Sequence, residues 1–308
     1  MENCTTPRWQ TFLFSTISPI GAVIITNPFD TAKVRLQLQG QFDASQRIYK
    51  NSFDAILKIY KHEGLVGLQK GLVPAMWREG SKNVMRIGMY EPIMERMHDK
   101  KRDGPLPMWK RILAGGTSGA LGALACNPFE LIKTRMQAQS NSKIVVGHQH
   151  QYSSGLWPTM YNEVKKNGVF TLYKGSGMSV VRSFFGSGAN LSIYSYMRDN
   201  LISKQYMKDG FLVDATSGLT SSLFTALVMN PVDVLRTRIY NQAVNAETSN
   251  VVYKNGIDAL FKVVKNEGVK ALFKGWVASF ARLGPHFTLT FVFFEELKRL
   301  SRNFNNKQ

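Results

Sequence analysis

Pro28-Phe29-Asp30-Thr31-Ala32-Lys33-Val34-Arg35 decides the fold, because its pattern returns twice. The second copy is Pro128-Phe129-Glu130-Leu131-Ile132-Lys133-Thr134-Arg135, and the third is Pro231-Val232-Asp233-Val234-Leu235-Arg236-Thr237-Arg238. Each has a proline, an acid two residues on, a base five on and an arginine seven on. Further columns follow in the same order. Glu63-Gly64 to Lys70-Gly71 matches Asn167-Gly168 to Lys174-Gly175 and Glu267-Gly268 to Lys274-Gly275. Tyr49, Tyr152 and Tyr253 form another column, and Tyr90-Glu91, Tyr194-Ser195 and Phe294-Glu295 a fourth. Ordered self-similarity of this kind marks repeats of one structural unit. The 308 residues divide into repeats at 1–104, 105–205 and 206–308.

Each unit opens on a long stretch of small and apolar residues that ends at the proline motif. A polar loop and a short amphipathic piece follow. In the third unit Ile257, Leu260, Phe261 and Val264 keep helical spacing. Asn51, Ser154 and Asn255 stand ahead of the short pieces and suit helix N-caps. A glycine closes each piece, and a Lys-Gly pair opens a second long helix. The pattern predicts an all-α chain with six long helices of about 25–30 residues, enough to cross a bilayer when tilted.

Lys and Arg total 39 against 21 Asp and Glu, a net charge of +18, while 44% of residues are apolar. That excludes a disordered, charge-rich chain and points to an anionic partner. Two cysteines, Cys4 and Cys126, make no disulfide framework or metal cluster. Met1 to Gln10 holds no apolar core before a cleavage site, so no cleavable signal peptide is expected. No run of 18 uninterrupted apolar residues exists. The polar residues lie on one face instead: Arg78, Lys82 and Arg86 are spaced by four. Such helices can ring a water-filled cavity in a membrane. A soluble bundle with solvated basic faces is the alternative, but it explains poorly why three prolines interrupt helices at equivalent places.

The three segments match P-x-[DE]-x-x-[KR]-x-[RQ], and Gln69-Lys70-Gly71, Tyr173-Lys174-Gly175 and Phe273-Lys274-Gly275 match its second half. In this the sequence resembles the mitochondrial carrier family over essentially its whole length. The resemblance implies six transmembrane helices around a pseudo-threefold cavity in the mitochondrial inner membrane. It implies a multi-pass transporter working as a monomer by alternating access, with no enzyme chemistry. Met85-Arg86-Ile87-Gly88-Met89-Tyr90 and Arg282-Leu283-Gly284-Pro285-His286 look like the dicarboxylate, oxoglutarate and uncoupling-protein branch. Met229-Asn230-Pro231-Val232-Asp233-Val234 looks most like the oxaloacetate-type carriers.

By this resemblance Asp30 pairs with Lys133, Glu130 with Arg236 and Asp233 with Lys33, closing the matrix side. Partly exposed pairs are worth about 0–1 kcal/mol each, so such a ring could open. Gln37 and Gln137 stand where the family braces these pairs, and Tyr240 replaces the third brace. The cytoplasmic gate keeps Tyr90, Glu91, Tyr194, Arg198, Phe294, Glu295 and Lys298, but Met94 and Ser195 break its pattern. Only Glu91 with Arg198 survives as an expected pair, so this gate should close weakly.

Seven residues beyond each Lys-Gly glycine lie Arg78, Arg182 and Arg282, at the family's substrate-contact positions. Arginine's planar fork matches carboxylates bidentately, so the implied substrate is a small anion such as a dicarboxylate. Glu79 is read as a proton-coupling carboxylate, as a receiver of a substrate amino group, or as the partner of Arg78 or Lys82. Ser183 after Arg182 argues against amino-acid and nucleotide carriers.

No cofactor is expected. Cardiolipin is the expected lipid, held between repeats at Gly71, Gly175 and Gly275 with Asn51, Ser154 and Asn255 nearby. His148 and His150 lack acidic or thiol partners, so no metal is assigned. No P-loop, zinc spacing or aromatic RNA motif supports a nucleic-acid partner. A carrier-fold paralogue docked as a structural subunit in a larger inner-membrane complex is the alternative reading.

Overall fold

The computed structural model describes residues 8–41, 48–97, 107–140, 144–150, 152, 155–204, 211–242 and 252–305. Among them are six long helices: α1 (Arg8–Leu38), α3 (Leu72–Met97), α4 (Met108–Ala138), α6 (Ser176–Ser203), α7 (Phe211–Asn241) and α9 (Trp276–Asn305). Three shorter ones lie between the members of each pair: α2 (Ser52–Leu68), α5 (Leu156–Asn167) and α8 (Gly256–Glu267). No strand occurs among the described residues. The long helices close a ring, α1 packing on α3 and α9, α4 on α3 and α6, and α7 on α6 and α9.

Local chemistry sets the helix limits. Asn51 accepts from the Asp54 backbone N–H at 2.8 Å, and Asp54 accepts in return from the Lys50 N–H at 2.8 Å. Asn255 and Asp258 repeat that reciprocal cap. The second unit differs from expectation. Ser154 lies outside the described residues, and the cap position of α5 is Gly155, which offers no side-chain bond. Gly71 and Gly275 sit at φ 72° and 77°. A Cβ on them would come 3.1 and 3.3 Å from the Lys133 and Lys33 carbonyls, so conformation and crowding both demand glycine.

The proline helices run on without a break through Pro28, Pro128 and Pro231. Proline frees the carbonyl four residues back. In the first repeat Gln69 Nε2 donates to that Ile24 carbonyl at 3.0 Å. The asparagine before each proline tethers its helix to the segment ahead of the next one. Asn27 donates to Leu68 O (3.2 Å), Asn127 to Leu172 O (2.8 Å) and Asn230 to Leu272 O (2.8 Å).

Large apolar side chains such as Ile25, Val73, Leu219 and Phe291 are exposed on the outer surface. In water so much apolar surface would be a liability, whereas a bilayer covers it. By length and composition three helical stretches are apolar enough to span: 9–38, 216–241 and 269–301. The long helices α3, α4 and α6 fall short because they carry charged, glycine and serine residues, several of which line the central cavity or pack against a neighbouring helix. Gly122 of α4, for instance, lies where a Cβ would meet the Lys82 carbonyl of α3 at 3.0 Å.

Candidate functional site

The acid and base of each proline motif are three residues apart and so share a helix face. Three such faces converge at one end of the ring. Lys133 Nζ lies 2.6 Å from Asp30 Oδ2, Lys33 Nζ 2.9 Å from Asp233 Oδ2, and Arg236 Nη1 3.0 Å from Glu130 Oε1. All six side chains are buried or nearly so. They were expected to be partly exposed. Burial changes the energetics, since removing one partner from a buried pair costs about 3–5 kcal/mol.

The braces differ from expectation. Gln37 Nε2 has no hydrogen-bond partner among the described residues, and its Oε1 accepts from Thr237 at 2.8 Å. Gln137 donates to Asn27 Oδ1 at 3.1 Å. Tyr240's hydroxyl donates to Asn127 Oδ1 at 2.6 Å and also meets Ser179. None of the three touches an ion pair by hydrogen bond; Tyr240 instead lays its ring 5.9 Å from the Arg236 guanidinium carbon.

A cavity of about 1390 Å³ sits above this ring and opens at the opposite end. Arg182, Ser183, Arg282, Lys33 and Asp233 line it. Arg182 pairs with Asp233, and Arg282 Nε lies 2.9 Å from Asp30 Oδ1. Arg78 Nη1 lies 3.6 Å from Glu130 Oε1. Each motif acid is therefore held by a base of the next proline motif and by one of these three arginines, and Asp233 also lies 3.5 Å from Arg236 Nη2 of its own helix.

The three arginines are not equivalent. Arg182's side chain is 34% exposed, Arg282's 16% and Arg78's 10%. Arg78 and Glu79 pair with each other and do not line the cavity. The reading of Glu79 as the partner of Arg78 describes the structure. Lys82 and Arg86, one and two turns above Arg78, do line the cavity, with Asn83 and Asn190. Their spacing signals a shared face, but the motif register did not single them out.

At the open end Tyr90 and Glu91 line the cavity. Among the described residues Glu91 forms no ion pair with Arg198. Glu295 pairs within its own helix to Lys298 at 3.4 Å, and Lys298 lies 4.3 Å from the Phe294 ring. Tyr194 and Arg198 stand one turn apart on α6.

A second layer lies beyond the ion-pair ring. Arg35 is fully buried and grips Glu63 at 2.5 and 2.8 Å, and Arg238 grips Glu267 likewise. In the middle repeat Arg135 reaches Glu163 at 2.8 Å. Lys70 and the Arg35 guanidinium hold Glu63's carboxyl down to about 2 against the burial that would raise it. Among the described residues no group of three or more His, Cys, Asp or Glu is placed to hold a metal.

The profile of the family described as mitochondrial carrier protein matches three times, over residues 5–101, 104–205 and 208–305. The mitochondrial oxaloacetate transport protein of Saccharomyces cerevisiae is 36% identical over 299 residues, covering 95% of this chain and 90% of that protein. The mitochondrial 2-oxoglutarate/malate carrier protein of Bos taurus is 34% identical over 295 residues, 96% of this chain and 92% of its own. The mitochondrial substrate carrier family protein ucpA of Dictyostelium discoideum is 36% identical over 292 residues, 94% and 92%. Three matched repeats, in a ring of six long helices around a basic cavity, make this chain a member of the mitochondrial carrier family.

Proposed function

We propose that the chain exchanges small dicarboxylates of the malate, oxaloacetate and oxoglutarate class across the mitochondrial inner membrane by alternating access. In this reading the structure is the cytoplasm-open state, with the ring of proline-motif ion pairs as the matrix gate. One observation carries the proposal: Asp30, Glu130 and Asp233 are each shared between a gate base and an arginine at or beneath the cavity floor.

A dicarboxylate arriving at Arg182 and Arg282 competes with Asp233 and Asp30 for the same guanidiniums. Bidentate pairing favours a carboxylate over a point anion. Asp233 and Asp30 then each lose one counter-charge, and the ring weakens only when substrate is present. Tyr90, Glu91, Arg198, Glu295 and Lys298 close the other end in the alternate state. The relatives named for oxaloacetate and for 2-oxoglutarate/malate transport support the substrate class.

Cardiolipin is proposed as the bound lipid. A groove of about 410 Å³ supports it, lined by Gly71, Leu72 and Val73 at the start of α3 and by Gly155 and Leu156 at the start of α5. Helix N-termini present free N–H groups to a phosphate.

The test is uptake into liposomes of labelled malate, oxaloacetate, oxoglutarate, phosphate, sulfate and aspartate against each as internal counter-substrate. Exchange confined to dicarboxylates supports the proposal. Preference for aspartate, or no exchange of any of these solutes, contradicts it.

A further inference from the structure

The second layer is threefold only in part. Where the first repeat meets the second, Arg35 donates from Nε to Gln137 O (3.1 Å) and from Nη2 to Gln139 O (3.1 Å). Lys70 joins it, donating to Glu63 (2.8 Å) and to the same Gln139 carbonyl (2.9 Å). The seam of the third repeat with the first copies this arrangement. Arg238 donates to Gln37 O (3.2 Å) and Gln39 O (3.4 Å), and Lys274 to Glu267 (2.6 Å) and Gln39 O (2.8 Å).

Between the second and third repeats the clamp is incomplete. Arg135 Nε donates to Tyr240 O at 2.9 Å, but its buried Nη2 has no partner among the described residues. Gln242, two residues on, is the counterpart of Gln139 and Gln39. The Lys174 ammonium makes no ion pair or hydrogen bond among the described residues. The cause is a displaced acid. Position 167 is asparagine where the other repeats have Glu63 and Glu267. Glu163, one helical turn earlier, reaches Arg135 and accepts from the Tyr152 hydroxyl at 2.6 Å and from Asn167 at 3.3 Å. It does not reach Lys174. Burial and the charge of Arg135 push the Lys174 ammonium's pKa down, as expected for two cations without a shared anion.

We propose that this seam is a matrix-facing oxyanion site in which Arg135 Nη2 and Lys174 Nζ bind a phosphate-type group. The ligand stands in for the glutamate and carbonyl oxygens that satisfy the same donors in the other two seams. The site lies outside the transport cavity, so it does not depend on the substrate assigned there.

The test uses the full chain in phosphatidylcholine nanodiscs, with thermal unfolding in sodium phosphate against sodium chloride at matched ionic strength. Phosphate should raise the midpoint by about 2–4 °C. Lys174→Gln should lose that rise. The double variant Glu163→Val with Asn167→Glu transplants the third repeat's arrangement; it should also lose the rise, because a side-chain carboxylate now takes Lys174. Arg182→Ala should keep it. The proposal is overturned if Lys174→Gln and the double variant keep the full rise, or if Arg182→Ala alone removes it. If phosphate has no effect but phosphatidic acid in the disc gives the same variant pattern, the ligand is a lipid headgroup. If neither stabilises the wild type, the site does not exist.

Discussion

Arg282 Nε stands 2.9 Å from one oxygen of Asp30, and Lys133 Nζ stands 2.6 Å from the other. A single carboxylate thus joins the cavity floor to the ion-pair ring. If substrate and Asp30 compete for Arg282, Asp30→Asn should tighten dicarboxylate binding about three- to tenfold while slowing exchange. Arg282→Ala should weaken binding at least tenfold, since a charged hydrogen bond contributes about 1.5–3 kcal/mol. Malate-dependent shifts in unfolding temperature measure both. Weaker binding in Asp30→Asn would show that Asp30 supports the site and does not compete with substrate.

Arg78 and Arg182 occupy equivalent register positions yet should fail differently. Arg78→Ala leaves the Glu79 carboxylate without its partner in a buried place and takes one of Glu130's two counter-charges, at a cost of about 3–5 kcal/mol. Arg182 is a third exposed, and Asp233 keeps Lys33 as a partner when it is lost. Arg182→Ala should therefore remain folded and nearly abolish uptake, with Arg182→Lys recovering part of it. Thermal unfolding and liposome uptake, measured side by side, separate the two outcomes. Normal transport by Arg182→Ala would remove the basis for the substrate assignment.

Why was so much of this visible in the residues? Period, proline spacing and acid-base register are local properties, so the repeats and the long helices follow from them, while the partners of the three ring pairs follow from the family resemblance. The depth of Arg78 does not. Its spacing from Gly71 equals that of Arg182 from Gly175, but the residue after it is Glu79 in place of Ser183. An adjacent acid neutralises Arg78 and lets it sink beneath the floor. The Asn-Pro pairs at 27, 127 and 230 recur in every copy, but the role of asparagine emerges only when the next segment's carbonyls arrive. Lys82 and Arg86 needed the cavity wall to be known.

The loop before α5 carries a pH dependence. His150 Nε2 contacts Asn241 O at 3.2 Å, and its ring stacks on Tyr152. Burial first, then the Arg135 and His148 charges, push its pKa down to about 3 from 6.5; the Asn241 carbonyl and Glu163 oppose this only weakly. The folded state holds the neutral ring while the unfolded chain takes a proton below 6.5. Stability should fall as pH drops from 7 to 5, by about 2 kcal/mol at most. His150→Gln should flatten that part of the profile. Glu63 acts in another window, below 4.5 and through about 2, and leaves this range unchanged. An identical pH profile in His150→Gln, followed by thermal unfolding, would remove His150 as the cause.

For the lipid, delipidated protein should gain several degrees of thermal stability on adding cardiolipin, and less on adding phosphatidylcholine. Gly71→Ala should lower both the stability and the gain, because a Cβ is strained at φ 72° and would crowd the Lys133 carbonyl at 3.1 Å. Asn51→Ala removes the bond to the Asp54 N–H and should cost about 1 kcal/mol whether or not lipid is present. Equal unfolding temperatures with and without cardiolipin would exclude the lipid site.

Lys82 and Arg86 line the cavity without an ion pair among the described residues, whereas the arginines at its floor are all engaged. Each step of four residues lifts a side chain about 6 Å along α3, so an anion entering from the open end meets Arg86 before Arg182. These two cations should act in capture, and Arg182 in the exchange with the gate acids. Arg86→Gln should raise KM for a dicarboxylate about five- to tenfold at low ionic strength and leave kcat unchanged. At about 0.5 M salt the difference from wild type should shrink, because charge attraction across an open aqueous cavity is screened over a few ångströms. Arg182→Ala should lose activity at both salt concentrations, since a bidentate contact at the floor does not act at long range. Initial rates of labelled dicarboxylate uptake into preloaded liposomes, over a range of substrate concentrations at the two salts, read out all three behaviours. A fall in kcat with KM unchanged would place Arg86 in the conformational step and not in capture.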